Sequence, residues 1–148
     1  MNRFVSVVAV AAVAAAFAAC DRGATSPKGA IDATYDLKSI NGAALPYTRT
    51  LGTTTLRVTN DVLLLRRDGT YEDSTTYAIP SGNSTQISTS IERGKYTISS
   101  GTIAFNDRTT GGRYSGTIQG TTLTQSVNGL TPVYEQRELR FAAVTSLP

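Results

Sequence analysis

Histidine and tryptophan are absent from these 148 residues, cysteine and methionine occur once each, and charged residues make up only 17%. Each scarcity removes a class of chemistry. Without histidine there is no Ser-His-Asp or Cys-His nucleophile pair and no zinc site built on imidazole. A single cysteine has no disulfide partner within its own chain. No Gly-rich loop opens a helix, so a phosphate cradle at a helix N-terminus is not expected. Basic residues are interspersed with acidic ones, and Arg66-Arg67 is the only adjacent basic pair. Nucleic-acid binders cluster positive charge on one face or along a helix. No nucleic-acid partner is therefore expected. The length suits one domain with a single core.

Threonine, serine and glycine are plentiful, with tyrosine, isoleucine, valine and leucine scattered among them. Alanine is concentrated in residues 9–19, and no helical run of ten residues follows Ala19. That composition reads as all-β.

Residues 1–19 read as a secretory signal: Met-Asn-Arg supplies a positive start, and FVSVVAVAAVAAAFAA runs uncharged to Ala19. The apolar run, Phe4 to Ala19, has sixteen residues. As a helix it would be roughly 24 Å long, short of the about 30 Å hydrocarbon core that a spanning helix must cross. An uncleaved anchor is thus the weaker reading. A generic secretory cut after Ala16-Phe17-Ala18 competes with a second possibility. Phe17-Ala18-Ala19-Cys20 resembles the lipobox of bacterial lipoproteins, and the chain uses cysteine at that place and nowhere else.

The lipobox resemblance implies that Cys20 becomes the new N-terminus. It would carry a diacylglyceryl thioether and an N-acyl chain, two or more chains being what a lasting membrane anchor takes. Residues 20–29 would form the lipidated cysteine and a polar tether. Asp21, directly after Cys20, resembles an inner-membrane retention signal of enteric-type sorting. The expected address is the bacterial cell envelope, lipid-anchored and facing the periplasm, with inner and outer membrane both open. Loss of Arg3 with the signal would leave thirteen basic against eleven acidic residues.

From Ala30 the chain alternates apolar and polar residues with turn punctuation, the strand signal. Ile31, Ala33, Tyr35 and Leu37 share one parity, then Asn41-Gly42 turns the chain and Leu45-Pro46 reads as an extended or edge segment. Leu56 and Val58 continue, followed by Asn60-Asp61 ahead of the clearest unit, LLLRRDGTYEDSTTYAI. There Asp68-Gly69 joins two alternating runs as a hairpin. Ile87 and Ile91 read as another strand, and Tyr96 and Ile98 follow before Ser100-Gly101. Ile103 and Phe105, Tyr114 and Ile118, and Leu123 and Val127 come next. Asn128-Gly129 turns again, and Val133, Leu139 and Phe141 close the series. Turns every eight to twelve residues and short links predict a single antiparallel up-and-down β-barrel of about eight to ten short strands over residues 30–144.

The units AIDATYDLKSINGAALPYT, LLLRRDGTYED, RGKYTISSGTIAF and GTIQGTTLTQSV resemble the lipocalin-like domain of small bacterial lipoproteins, across roughly residues 30–142. The resemblance implies a barrel fold and little about activity.

Strands place alternate residues on opposite faces. Extending each apolar face by parity puts Asp73 and Thr75 inside with Tyr71, Tyr77 and Ile79. Gln125 falls between Leu123 and Val127, and Glu135 and Arg137 fall with Val133. Buried charges must be paired or hydrogen-bonded. One reading is a polar-floored cavity, with Arg137, Asp73 and Gln125 as polar contacts and Tyr71, Tyr77, Tyr96 and Tyr114 as walls. The other is a bulge that flips the parity, or an Arg137–Asp73 or Arg137–Glu135 pair plugging a solid core.

The first reading makes the protein a non-enzymatic, monomeric binding module for a small amphiphilic or polar ligand. The second makes it an envelope interaction or inhibitor protein using loops 80–86 and 106–113. Asp68, Glu72 and Asp73 form the densest acidic group, and a carboxylate-pair hydrolase would need two of them in one cleft. Asp68 reads as a turn residue and Glu72 as a solvated strand position. No cofactor or metal is expected.

Overall fold

The computed structural model describes residues 29–138, and all ten of its elements are strands. The signal segment, Cys20 and nearly all of the proposed tether lie outside the described residues, as do Leu139 and Phe141.

The strands are β1 (Ala33–Ile40), β2 (Ala43–Ala44), β3 (Tyr47–Leu51), β4 (Thr54–Leu65), β5 (Thr70–Ser81), β6 (Ser84–Ser99), β7 (Thr102–Asp107), β8 (Arg113–Gln119), β9 (Thr122–Ser126) and β10 (Pro132–Gln136). From β4 to β10 each strand pairs antiparallel with the next. β1 closes the ring: Ala33–Asp36 pair with Leu65–Val62 of β4, and Tyr35–Ile40 pair with Gln136–Pro132 of β10. The result is a closed eight-stranded antiparallel barrel, with β2 and β3 as extra strands beside it. Closure satisfies the backbone groups that an open sheet leaves bare at its edges.

Local chemistry sets the meander. Asn41-Gly42, Ser100-Gly101 and Asn128-Gly129 each place two successive residues at positive φ, as a tight hairpin turn demands. Asp68 orders its turn by side chain, accepting from Thr70 N at 2.9 Å and Thr70 Oγ1 at 2.6 Å. Asp107 does the same at the β7–β8 connection, accepting from the backbone of Thr109 and Thr110 at 2.6 and 2.9 Å. Asp68 and Asp107 are thereby structural.

Two bulges tune which residues face inward. Thr59 is an extra residue in β4, between the Val58–Tyr77 and Asn60–Thr76 pairs. Lys38 is its counterpart in β1. A bulge of one residue reverses the alternation beyond it. Leu56 and Val58 therefore face the same interior as Asp61, Leu63 and Leu65. Asn60-Asp61 lies inside β4 and does not separate two units.

The barrel is packed differently at its two ends. Leu63, Leu65, Ile103 and Leu123 are fully buried in the lower half, each contributing about 1.5–3 kcal/mol. The Tyr96 hydroxyl seals that end: it accepts from Ile31 N at 2.9 Å and lies 2.8 and 2.9 Å from the carbonyls of Ile31 and Arg66. At the other end β5 and β6 run past their neighbours. β7 pairs only with Gly94–Ser99 of the 16-residue β6. Ser84–Ile91 therefore form an exposed ribbon with β5, in which Ile87 and Ile91 are 62% and 41% exposed. These isoleucines belong to the same strand as Tyr96 and face solvent.

Candidate functional site

The open end leads into a cavity of about 230 Å³. Its rim is apolar. Leu56 and Val58 on β4 and Tyr47 on β3 supply one part, and Val127, Leu130 and Pro132 on the β9–β10 side supply another, with Leu37 and Ile40 between them on β1. Arg49, half-buried on β3, is the one cationic side chain lining it among the described residues. Its interior is acidic: Asp61 on β4, Asp73 on β5 and Glu92 on β6 all reach it, together with Gln125 on β9 and Tyr134 on β10.

Cross-strand register places these groups. Asp61 sits opposite Thr75, and Thr75 Oγ1 donates to Asp61 Oδ2 at 2.8 Å. Asp73 is two residues along the same inward face, with its carboxyl adjoining that of Asp61. Two carboxyl groups bond to one another only when one carries a proton. Burial pushes both above the usual carboxylate range. Asp73 is pushed further, by burial first and then by the neighbouring charge of Asp61. Both directions favour one proton shared between the two carboxyls. Apart from that contact, Asp61 Oδ1 and Asp73 Oδ1 have no donor among the described residues, and Gln125 Nε2 has no acceptor.

Glu92 is held differently. Tyr71 and Tyr114 both donate to its Oε1, at 2.7 and 2.6 Å, and Tyr114 also lies 3.2 Å from Tyr71 Oη. The rings behind them are fixed by packing. Phe105 stacks on Tyr114 with centroids 4.7 Å apart, and Tyr71 meets Phe105 edge-on at 5.1 Å. Burial, with the Glu92 charge behind it, raises the Tyr114 phenol far above its ordinary range, and burial likewise raises Tyr71 and Tyr134. Tyr71 can lie this deep because it passes over Gly94. A Cβ at Gly94 would come within 2.2 Å of Asn106 O and 2.7 Å of Tyr71 Cε1.

Of the residues singled out by parity, Asp73, Gln125, Tyr77 and Tyr114 line the cavity. Tyr71 lies beneath it with its hydroxyl on Glu92. Tyr96 is not a wall, since it closes the opposite end of the barrel. Arg137 is not inside at all. Its guanidinium binds Asp36 on the outer face, Nε to Oδ2 at 3.1 Å, with the side chain 51% exposed. Glu135 also faces outward and accepts from Thr121 and Thr122. The sequence alternation over β10 takes Val133 as its inward residue, whereas the buried residue there is Tyr134, one position on. Neither an Arg137–Asp73 nor an Arg137–Glu135 plug forms, and no anion anchor stands at Arg137.

Asp61, Glu92 and Tyr134 were not foreseen. Asp61 shares the parity of Leu63 and Leu65, and Glu92 that of Tyr96, so the alternation carried the signal for both. Glu72, by contrast, is on the outer face, paired with Arg93 at 2.9 Å and Arg66 at 3.6 Å. No group of metal-ligating side chains occurs among the described residues.

No protein-family model, curated protein or solved structure matches the chain.

Proposed function

We propose that this is a lipid-anchored bacterial envelope protein of lipocalin-like kind, whose barrel binds a small ligand without transforming it. The observation that carries the binding role is the open cavity of about 230 Å³ with an apolar rim and a polar floor. Ligand sites are concave, mostly apolar and furnished with a few convergent polar groups. The volume suits a small molecule. A cavity of about 150 Å³ holds benzene, so by proportion this one holds about nine non-hydrogen atoms.

The envelope address rests on the sequence: the uncharged run ending at Phe17-Ala18-Ala19-Cys20 and the single use of cysteine. Acyl chains on Cys20 would hold the domain at a membrane through a short tether, with the barrel in the periplasm.

Native mass spectrometry of the protein purified from the envelope tests both halves together. The expected species starts at Cys20, carries the mass of a diacylglyceryl group and an acyl chain, and retains a small molecule. Replacing Leu130 at the rim with Trp should expel that molecule and leave the acyl mass unchanged. A free thiol at Cys20, or a chain cut elsewhere, overturns the anchor. An equal ligand content in wild type and Leu130→Trp overturns the pocket.

A further inference from the structure

We infer that the cavity is built for a small organic ammonium with an adjacent hydroxyl and a short apolar body, an amphiphilic amino alcohol. The inference rests on the binding reading above and specifies its ligand.

The argument starts from atoms that the fold leaves without partners. Asp61 is 6% exposed and Gln125 is 3% exposed, and both reach the cavity. Buried polar groups of this kind are almost always hydrogen-bonded, and each exception asks for a cause. Here the unpartnered set is two acceptors and one donor: Asp61 Oδ1, Asp73 Oδ1 and Gln125 Nε2. A neutral double donor can bridge two adjoining carboxylates, but only a proton or a cation also offsets their charge. An ammonium offers three donors and no acceptor, and a hydroxyl oxygen accepts from an amide N–H. Together they complete all three atoms. The apolar rim then receives the body of the molecule.

Sign selects against the alternatives. The floor presents carboxyl groups from β4, β5 and β6, whereas among the described residues the cavity lining carries one cation, Arg49, on β3. A carboxylate ligand would meet like charge at the floor, which costs affinity. The groups surrounding the Asp61–Asp73 pair are Glu92 on β6, Tyr134 on β10, Tyr77 on β5, Tyr114 on β8 and Arg49 on β3. None of these supplies a second cation to the floor. Burial raises both carboxyls above the usual range, Asp73 further, which favours one shared proton on the adjoining pair. The arriving ammonium takes that proton's place, and the proton passes to solvent. No covalent bond forms or breaks other than that O–H.

Calorimetry on the purified protein at neutral pH, in two buffers of different ionisation heat, provides the test. The probes are 2-aminohexan-1-ol, hexan-1-amine, hexan-1-ol and hexanoate. The amino alcohol should bind at one site, several-fold tighter than the amine and at least ten-fold tighter than the alcohol or hexanoate. About one proton should be released. Asp73→Asn and Asp61→Asn should each lower its affinity at least ten-fold, with near-ultraviolet circular dichroism confirming that the tyrosine packing is intact. If Asp61→Asn does not fold, Asp73→Asn decides alone. Binding of hexanol or hexanoate as tight as that of the amino alcohol overturns the ammonium assignment and leaves the pocket standing. Binding of the amino alcohol without proton release, or undiminished in Asp73→Asn, also overturns it. Failure of all four probes to bind overturns the pocket reading as well.

Discussion

Replacing Asp73 with Asn removes the proton on which the cavity floor depends while keeping the shape of the side chain. An Asn amide donates to Asp61 as protonated Asp73 does, so the contact survives without titrating. The sign of the effect follows from linkage. Burial and the Asp61 charge raise Asp73 in the folded state, so the folded protein holds more protons than the unfolded chain. Stability then falls as pH rises from the unfolded carboxylate range toward the folded value. One retained proton sets the steepest slope, about 1.4 kcal/mol per pH unit. For a domain of this size that is on the order of 5 °C in Tm per pH unit. Asp36 and Glu72 work the other way, since Arg137 and Arg93 hold them below the usual range. Their contribution is lost as pH falls, but it is common to both proteins and cancels in the difference. Urea unfolding of wild type and Asp73→Asn in steps from pH 4 to pH 8 (~1 unit apart) is the assay. The two should coincide near the acid end, and the variant should pull ahead as pH rises. Parallel curves across the range would refute a shared proton on the pair.

Gly94→Ala should be among the most damaging small substitutions in the barrel, because both clashing atoms belong to the backbone of β7 and the ring of Tyr71. Overpacking of this kind costs about 1–3 kcal/mol, read as a lower urea midpoint with unchanged slope. Alkaline titration followed by phenolate absorbance should show Tyr71, Tyr114 and Tyr134 ionising only as the protein unfolds. Their phenols are raised above the ordinary value of 10.0, so stability is lost as pH climbs past it. Gradual, reversible ionisation of all tyrosines without unfolding would contradict the buried network on Glu92. Arg137→Met should leave amino-alcohol affinity unchanged and lower the urea midpoint only slightly, through loss of the exposed pair with Asp36 on the outer surface. A loss of affinity in that variant would place Arg137 back at the site.

Which parts of this architecture the sequence made legible follows from the range of the forces involved. Hairpin turns are local, so Asp68-Gly69, Asn41-Gly42 and Ser100-Gly101 announced themselves, and the all-β class followed from them. The closing seam between β1 and β4 joins residues some thirty positions apart, such as Ala33 and Leu65. It was inferred only from the general need to close an edge. Bulges at Lys38 and Thr59 carry no glycine or proline to mark them, yet each reverses the inward face. Asn60-Asp61 therefore reads in the sequence as turn punctuation. In β10 two neighbours, Val133 and Tyr134, are both apolar enough to anchor a face, and alternation alone does not choose between them. Closing the ring chooses Tyr134, opposite Leu37, and turns Glu135 and Arg137 outward. Asp73 and Gln125 were reached because the apolar residues flanking them on β5 and β9 are unambiguous.

The placement of the acids bears on why the interior was not simply filled. A buried carboxyl pair is poor stabilisation, and well-packed apolar residues of similar volume are commonly neutral or better. This barrel is able to supply them. On β4 the inward face passes from Asp61 to Leu63 and Leu65, and on β9 from Gln125 to Leu123, within one or two residues of the same strand. Among the described residues, the buried side-chain polar atoms without a partner all lie on the cavity side of that change. A protein acting only through an exposed hairpin such as Ser84–Ile91 would gain nothing from charge concentrated at the bottom of an open cavity. A protein that must discriminate among small polar guests gains sign selectivity from it, because a wrongly charged guest leaves the carboxylates uncompensated. The energetic sacrifice at Asp61 and Asp73 thus argues for recognition inside the barrel over interaction at its surface.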